Sequence, residues 1–108
     1  MKLFFCPAIL LISFISISFP QEQHTIMSYN LLNYPGSDFS IRNPYFRTVI
    51  SNTLPDILVV QEMISQAGMN GFLNNVLNVA SSGYAAGTFI DGPDTDNGIF
   101  YKTDSFTF

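Results

Sequence analysis

The chain has 108 residues, 47% of them hydrophobic, with four basic and eight acidic side chains and a formal charge of −4. That balance argues against a broad basic groove for nucleic acid, and the length allows one small domain or a part of one. Its single cysteine, Cys6, leaves no disulfide, so an exported form has to rely on its core or on bound metal.

Residues 1–20 stand apart by composition. Lys2 precedes the almost wholly apolar run LFFCPAILLISFISISF, and polar QEQHT follows. This is the pattern of a secretory signal peptide cut near Pro20 to Glu22, which implies a secreted or periplasmic protein. An uncleaved anchor is the rival reading because the run approaches spanning length, but Pro7, the serines and Pro20 weaken a long helix. Once the leader is removed, no stable membrane insertion is expected. Cleavage takes away Lys2 and Cys6, leaving Arg42, Arg47 and Lys102 against eight acidic residues and a formal charge of −5.

The segment TIMSYNLL, Thr25 to Leu32, reads as a strand with apolar residues on both faces, and therefore as a central one. NYPGSD breaks it. Asn43 followed by Pro44 predicts a helix start, Asn as cap and Pro in the first turn, with Phe46, Val49, Ile50 and Leu54 as the buried face. In PDILVVQEM the unbroken apolar run from Ile57 predicts a strand to Glu62 covered on both faces. A strand, a helix and a strand with short joints imply a right-handed crossover and parallel strands. Asn30 and Glu62 then meet at one edge, where open α/β sheets bind their ligands. Met69, Phe72, Leu73, Val76, Leu77 and Ala80 mark a second helix ending near Gly83. YAAGTFI and GIFYKT flank the loop DGPDTDN as an antiparallel hairpin, and the closing FTF reads as the start of another strand.

Three groups could carry chemistry. Asn30 and Glu62 offer a carboxamide and a carboxylate, hard oxygen donors of the kind Mg²⁺ takes. The plainer reading is a strand-ending Asn bonded to nearby backbone and a solvated Glu. Asp91, Asp94, Asp96 and Asn97 lack calcium-loop spacing and read as turn chemistry. His24, the one histidine, has no evident metal or proton-relay partner and reads as an exposed terminal residue.

Taken together, IMSYNLLNYP, PDILVVQEM and DNGIFYKTDSF, in that order with a helix between the first two, resemble the amino-terminal part of the endonuclease/exonuclease/phosphatase family. This is the fold of pancreatic deoxyribonuclease-like enzymes, and the likeness is greatest to exported bacterial members. It spans roughly residues 25–108, and the Gln61–Glu62 pair after DILVV is its most specific element. The resemblance implies an α/β fold, the amino-terminal portion of a four-layer sandwich of two mixed β-sheets flanked by helices, with 21–108 an incomplete domain. It implies a metal-dependent phosphoesterase, a nuclease or phosphatase, with Asn30 and Glu62 at the metal and Gln61 in support. The metal would be Mg²⁺, with Mn²⁺ or Ca²⁺ as alternatives, the substrate a phosphoester in nucleic acid or a small molecule, and the protein a monomer. The family's later Asp-x-Asn and Asp-His segments have no counterpart here, so no catalytic base is assigned and the 108 residues alone are expected to be inactive. The alternative is a non-catalytic secreted binding or interaction module that keeps only the family's first strands.

Overall fold

The computed structural model describes residues 1–3 and 16–108. Most of the expected signal peptide falls on 4–15 and lies outside the described residues. Among those described, no helix is long and apolar enough to cross a membrane.

The elements run β1 (Ile26–Tyr34), α1 (Phe39–Thr53), β2 (Ile57–Met63), α2 (Gln66–Phe72), a π-helical stretch (Leu73–Leu77), α3 (Asn78–Ala80), β3 (Tyr84–Ala86) and β4 (Asp96–Lys102). They form a mixed α/β unit whose four-stranded sheet has the order β1-β2-β4-β3. β1 and β2 are parallel, as the short crossover predicts, and β4 runs antiparallel to both β2 and β3.

Alternation along the strands sorts the side chains by face. Leu31 on β1, Leu58 and Val60 on β2, Tyr84 on β3 and Phe100 on β4 are buried, and they share one core with Phe46 and Ile50 of α1 and with Met69, Phe72, Val76 and Leu77. Phe72 sits at the centre of that core, its ring 5.1 Å from Tyr34, 5.5 Å from Phe46 and 5.7 Å from Phe100. The other face carries Ile26, Ser28, Asn30, Ile57, Val59, Gln61, Ile99 and Tyr101, none of them buried.

Several expectations are corrected here. Among the described residues the β1 and β2 runs are covered on one face only: β1 lies at the edge of the sheet, with Ile26 and Leu32 each 68% exposed, and half of the β2 run looks away from the helices. A continuous apolar run could not reveal this, because it does not say which elements lie over the second face. α1 begins at Phe39, ahead of the expected Asn43 cap. Asn43 is buried inside the helix, where its Oδ1 accepts a 3.0 Å hydrogen bond from the Tyr34 hydroxyl. Pro44 therefore lies in the helix interior, and the carbonyl it fails to bond belongs to Ser40, which faces water. Leu54 is no core residue either. It caps α1 in the left-handed region at φ 45°, its N–H donating to the Ile50 carbonyl at 2.8 Å, and is half exposed. The β3 strand stops at Ala86, and the terminal FTF adds no strand.

Tyr84 ties the sheet to the start of β2, its hydroxyl donating to the Pro55 carbonyl at 2.6 Å. Burial, aided by nearby Asp56, pushes this phenol up to about 12. The folded state thus holds the Tyr84 proton more tightly than the unfolded chain, whose phenol titrates near 10. The stabilisation is complete below pH 10 and is lost as pH rises through about 12. Melting temperature is expected to fall across that window, and Tyr84→Phe to flatten the decline; a variant whose melting follows the parent's alkaline curve would remove Tyr84 as its source. Burial also raises the Tyr34 phenol, more than the Asn43 hydrogen bond and the charges of Arg42 and Arg47 lower it.

Candidate metal centre

The carboxyl ends of β1 and β2 lie side by side, with Asn30 in register with Gln61. Beyond that pair both ladders slip. Three residues of β1, Leu31 to Asn33, separate the Asn30 and Tyr34 pairings, against the single residue Glu62 on β2. On the opposite side Gln61 and Glu62 face a single residue of β4, between the Val60–Gly98 and Met63–Asp96 pairings. Glu62 is thus irregular on both flanks, and its backbone is left-handed at φ 57°. A side chain with a Cβ pays about 1–2 kcal/mol for that conformation, and such outliers collect where geometry serves a site.

The irregularity has a chemical result. Strict alternation would turn Glu62 to the same side as Leu58 and Val60, away from Asn30. Instead its Oε1 accepts a 2.8 Å hydrogen bond from Asn30 Nδ2. Asn30 Oδ1 in turn accepts from the Leu32 backbone N–H at 2.9 Å. The plainer reading therefore holds in its first half, Asn30 bonding to backbone two residues on, while Glu62 is not simply solvated but is held by Asn30. Gln61 Nε2 donates to Ser28 Oγ at 3.1 Å on the bare face, two residue pairs back from the edge.

The donor set at this edge consists of one carboxylate and one carboxamide. Glu62 Oε2 accepts no hydrogen bond among the described residues and is free for a cation. Asn30 keeps its oxygen on the Leu32 amide, so it acts as an orienting group and becomes an oxygen ligand only if its carboxamide turns over. No group of three or more His, Cys, Asp or Glu side chains that could hold a metal occurs among the described residues. A Mg²⁺ here would keep water and substrate oxygens in most of its shell, which is its habit.

The acidic loop behaves as turn chemistry. Asp96 Oδ2 accepts from the Gly92 N–H at 2.7 Å, and Asp91 Oδ2 accepts from the Gln66 N–H at the start of α2. His24 is exposed, as expected of a terminal residue, but it has neighbours, lying 3.8 Å from Asp56 and 3.6 Å from Glu22, with its ring 4.8 Å from Phe106. It precedes β1, however, so the six-residue extended path to Asn30, roughly 20 Å long, keeps it from acting at Glu62. Arg42 and Leu32, which the sequence reading gave no role at the site, hold its framework. The four-residue spacing of Asp38 and Arg42, a salt bridge at 3.3 Å, is the only trace of that in the sequence.

The turn that follows Asn30 is seated on α2 at Gly68. A Cβ there would stand 2.8 Å from Met63 Sδ, 3.0 Å from Pro35 Cδ and 3.3 Å from the Tyr34 carbonyl oxygen, two of which belong to the turn itself. Gly68→Ala is expected to cost about 1–3 kcal/mol by overpacking. Gly71→Ala, whose Cβ would meet nothing nearer than 4.0 Å, should instead gain up to about 1 kcal/mol of helix propensity. Chemical denaturation of the two variants checks the pair, and equal shifts of the same sign would contradict the close seating.

No protein family, curated protein or solved structure matches the chain.

Proposed function

We propose that this chain carries the metal-holding edge of a Mg²⁺-dependent phosphoesterase that hydrolyses phosphate esters by metal-assisted attack of water. The observation that carries the reading is the Asn30–Glu62 hydrogen bond at the joined ends of two parallel strands, made through a left-handed Glu62. A backbone conformation that costs free energy, held where one carboxylate oxygen is left unengaged, supports this reading, since such outliers collect at functional sites and Mg²⁺ takes hard oxygen donors. When bound, the cation supplies positive charge to a phosphate oxygen. Glu62 binds it, Asn30 fixes the direction of that carboxylate, and Gln61 anchors the strand end through Ser28. The base that takes the proton from water is not among these residues, since the only histidine lies at the opposite end of β1. Positioned proton transfer is worth about a hundredfold to ten-thousandfold, so the 108 residues alone hydrolyse esters slowly if at all.

The same reading makes the sheet one half of a four-layer sandwich of two mixed sheets. Its support is the bare face, where Ile57, Val59, Ile99 and Tyr101 keep partial exposure opposite a well-filled core. That face also favours the second reading, a non-catalytic binding module, which needs apolar surface but no cation.

Titration with Mn²⁺, followed by the loss of its free paramagnetic signal, separates the two. Saturable binding at one site, displaced by Mg²⁺, supports the phosphoesterase. Absence of binding at millimolar metal would discard it in favour of the binding module.

A further inference from the structure

The second irregular stretch of this edge is on β1. Leu32 and Asn33 are both left-handed, at φ 49° and 55°, and neither is glycine. Something must hold them there. Leu31 is fully buried, so its carbonyl needs a partner within the protein. Arg42, one helix away on α1, provides it, with Nη2 donating to the Leu31 oxygen. The guanidinium is itself fixed on other sides: Nη1 meets Asp38 Oδ1 at 3.3 Å, and its central carbon lies 5.2 Å from the Phe46 ring centroid and 6.0 Å from that of Tyr34. Its side chain is 18% exposed, too covered for a solvated surface charge.

We propose that Arg42 is the positioning residue of the Asn30–Glu62 edge: by fixing the Leu31 carbonyl it sets the β1 bulge whose Leu32 amide holds the Asn30 carboxamide against Glu62. The relay runs from Arg42 Nη2 to the Leu31 oxygen, along one peptide to the Leu32 N–H, to Asn30 Oδ1 and from Nδ2 to Glu62 Oε1. A planar fork is suited to this, because one nitrogen serves the carbonyl while the other keeps the Asp38 carboxylate, which a lysine ammonium cannot do in the same rigid geometry. The consequence for metal affinity rests on the phosphoesterase reading; the control of the bulge does not.

The test uses the full chain with Arg42→Met, which keeps the apolar stem over Phe46 and removes the donors, and Asp38→Asn, which removes only the ion pair. In metal-free protein, Arg42→Met is expected to speed amide hydrogen exchange at Leu32 about tenfold, the loss of local protection from one hydrogen-bonded link, and to shift the Asn30 side-chain amide resonances. Asp38→Asn should leave both near the parent's values. Unchanged Leu32 exchange in Arg42→Met overturns the proposal, as does an equal acceleration at every amide of α1 and β1, the mark of a merely stabilising residue. Should Arg42→Met not fold, the parent decides: slowly exchanging, separately resolved Arg42 Nη protons support the relay, and averaged ones refute it. For the metal, Arg42→Met should weaken Mn²⁺ binding about tenfold, the size of an outer-shell loss. If the parent binds no Mn²⁺, the phosphoesterase reading fails while the exchange result still decides the role of Arg42.

Discussion

On the proposed phosphoesterase reading, Glu62→Ala is expected to abolish divalent-cation binding by this chain, and with it any Mg²⁺-dependent hydrolysis by a protein that contains it. The expected loss is larger than for any other single change, because the edge has one carboxylate. Outer-shell partners of metals cost tenfold to about a hundredfold when lost, and removing the only anionic ligand should exceed the upper figure. Glu62→Gln keeps the shape and removes the charge, so it should bind as poorly as the alanine variant. The left-handed backbone adds an internal check. At φ 57° a glycine is free of the Cβ conflict that alanine suffers, so Glu62→Gly should be more stable than Glu62→Ala by about 1 kcal/mol, although neither binds metal. Calorimetric Mn²⁺ titration and urea denaturation read the two effects separately. Full cation affinity in Glu62→Ala would remove the metal centre, and an alanine variant at least as stable as the glycine one would remove the left-handed conformation.

Phe72→Ala is expected to remove a large share of the domain's stability. The ring is fully buried between Tyr34, Phe46 and Phe100, so it joins β1, α1 and β4 at one point. Truncating a buried phenylalanine costs about 3–5 kcal/mol. Domains of this size are stable by roughly 0.05–0.15 kcal/mol per residue, so the loss takes a large share of the total. The thermal melt followed by near-ultraviolet circular dichroism should shift down by more than about 10 °C. A variant that keeps that signal and melts within a few degrees of the parent would show that the aromatic cluster does not bear the fold. The effect reaches the Asn30–Glu62 edge through Tyr34, whose ring packs on Phe72 and whose backbone closes the turn after Asn30.

Much of this architecture could be read directly from the residues. Short joints around a single helix specified the parallel β1–β2 pair, and that pairing alone brings Asn30 beside the end of β2. The helical spacing of Met69, Phe72, Leu73, Val76, Leu77 and Ala80 identified the buried stripe, with Leu73 and Ala80 only partly buried, because period and apolarity are local properties. The α1 start was misread for a reason equally physical: Asn43 and Pro44 have strong preferences for a helix's first turn, but a buried tyrosine hydroxyl offered Asn43 a better partner than free amides did.

What the sequence by itself determined, then, was the order of the elements, the parallel pairing and which residue types reach the edge. Only the tertiary structure decided which way Glu62 faces. Strand alternation would send it to the side of Leu58 and Val60, and it meets Asn30 because both neighbouring ladders slip at the same residue. Such slips lie in pairings between segments thirty or more residues apart, and on the proposal above Arg42 sets the β1 slip by reaching the Leu31 carbonyl from another element. No local preference encodes them, since left-handed leucine, asparagine and glutamate are each unfavourable alone and persist only when surrounding contacts fix them.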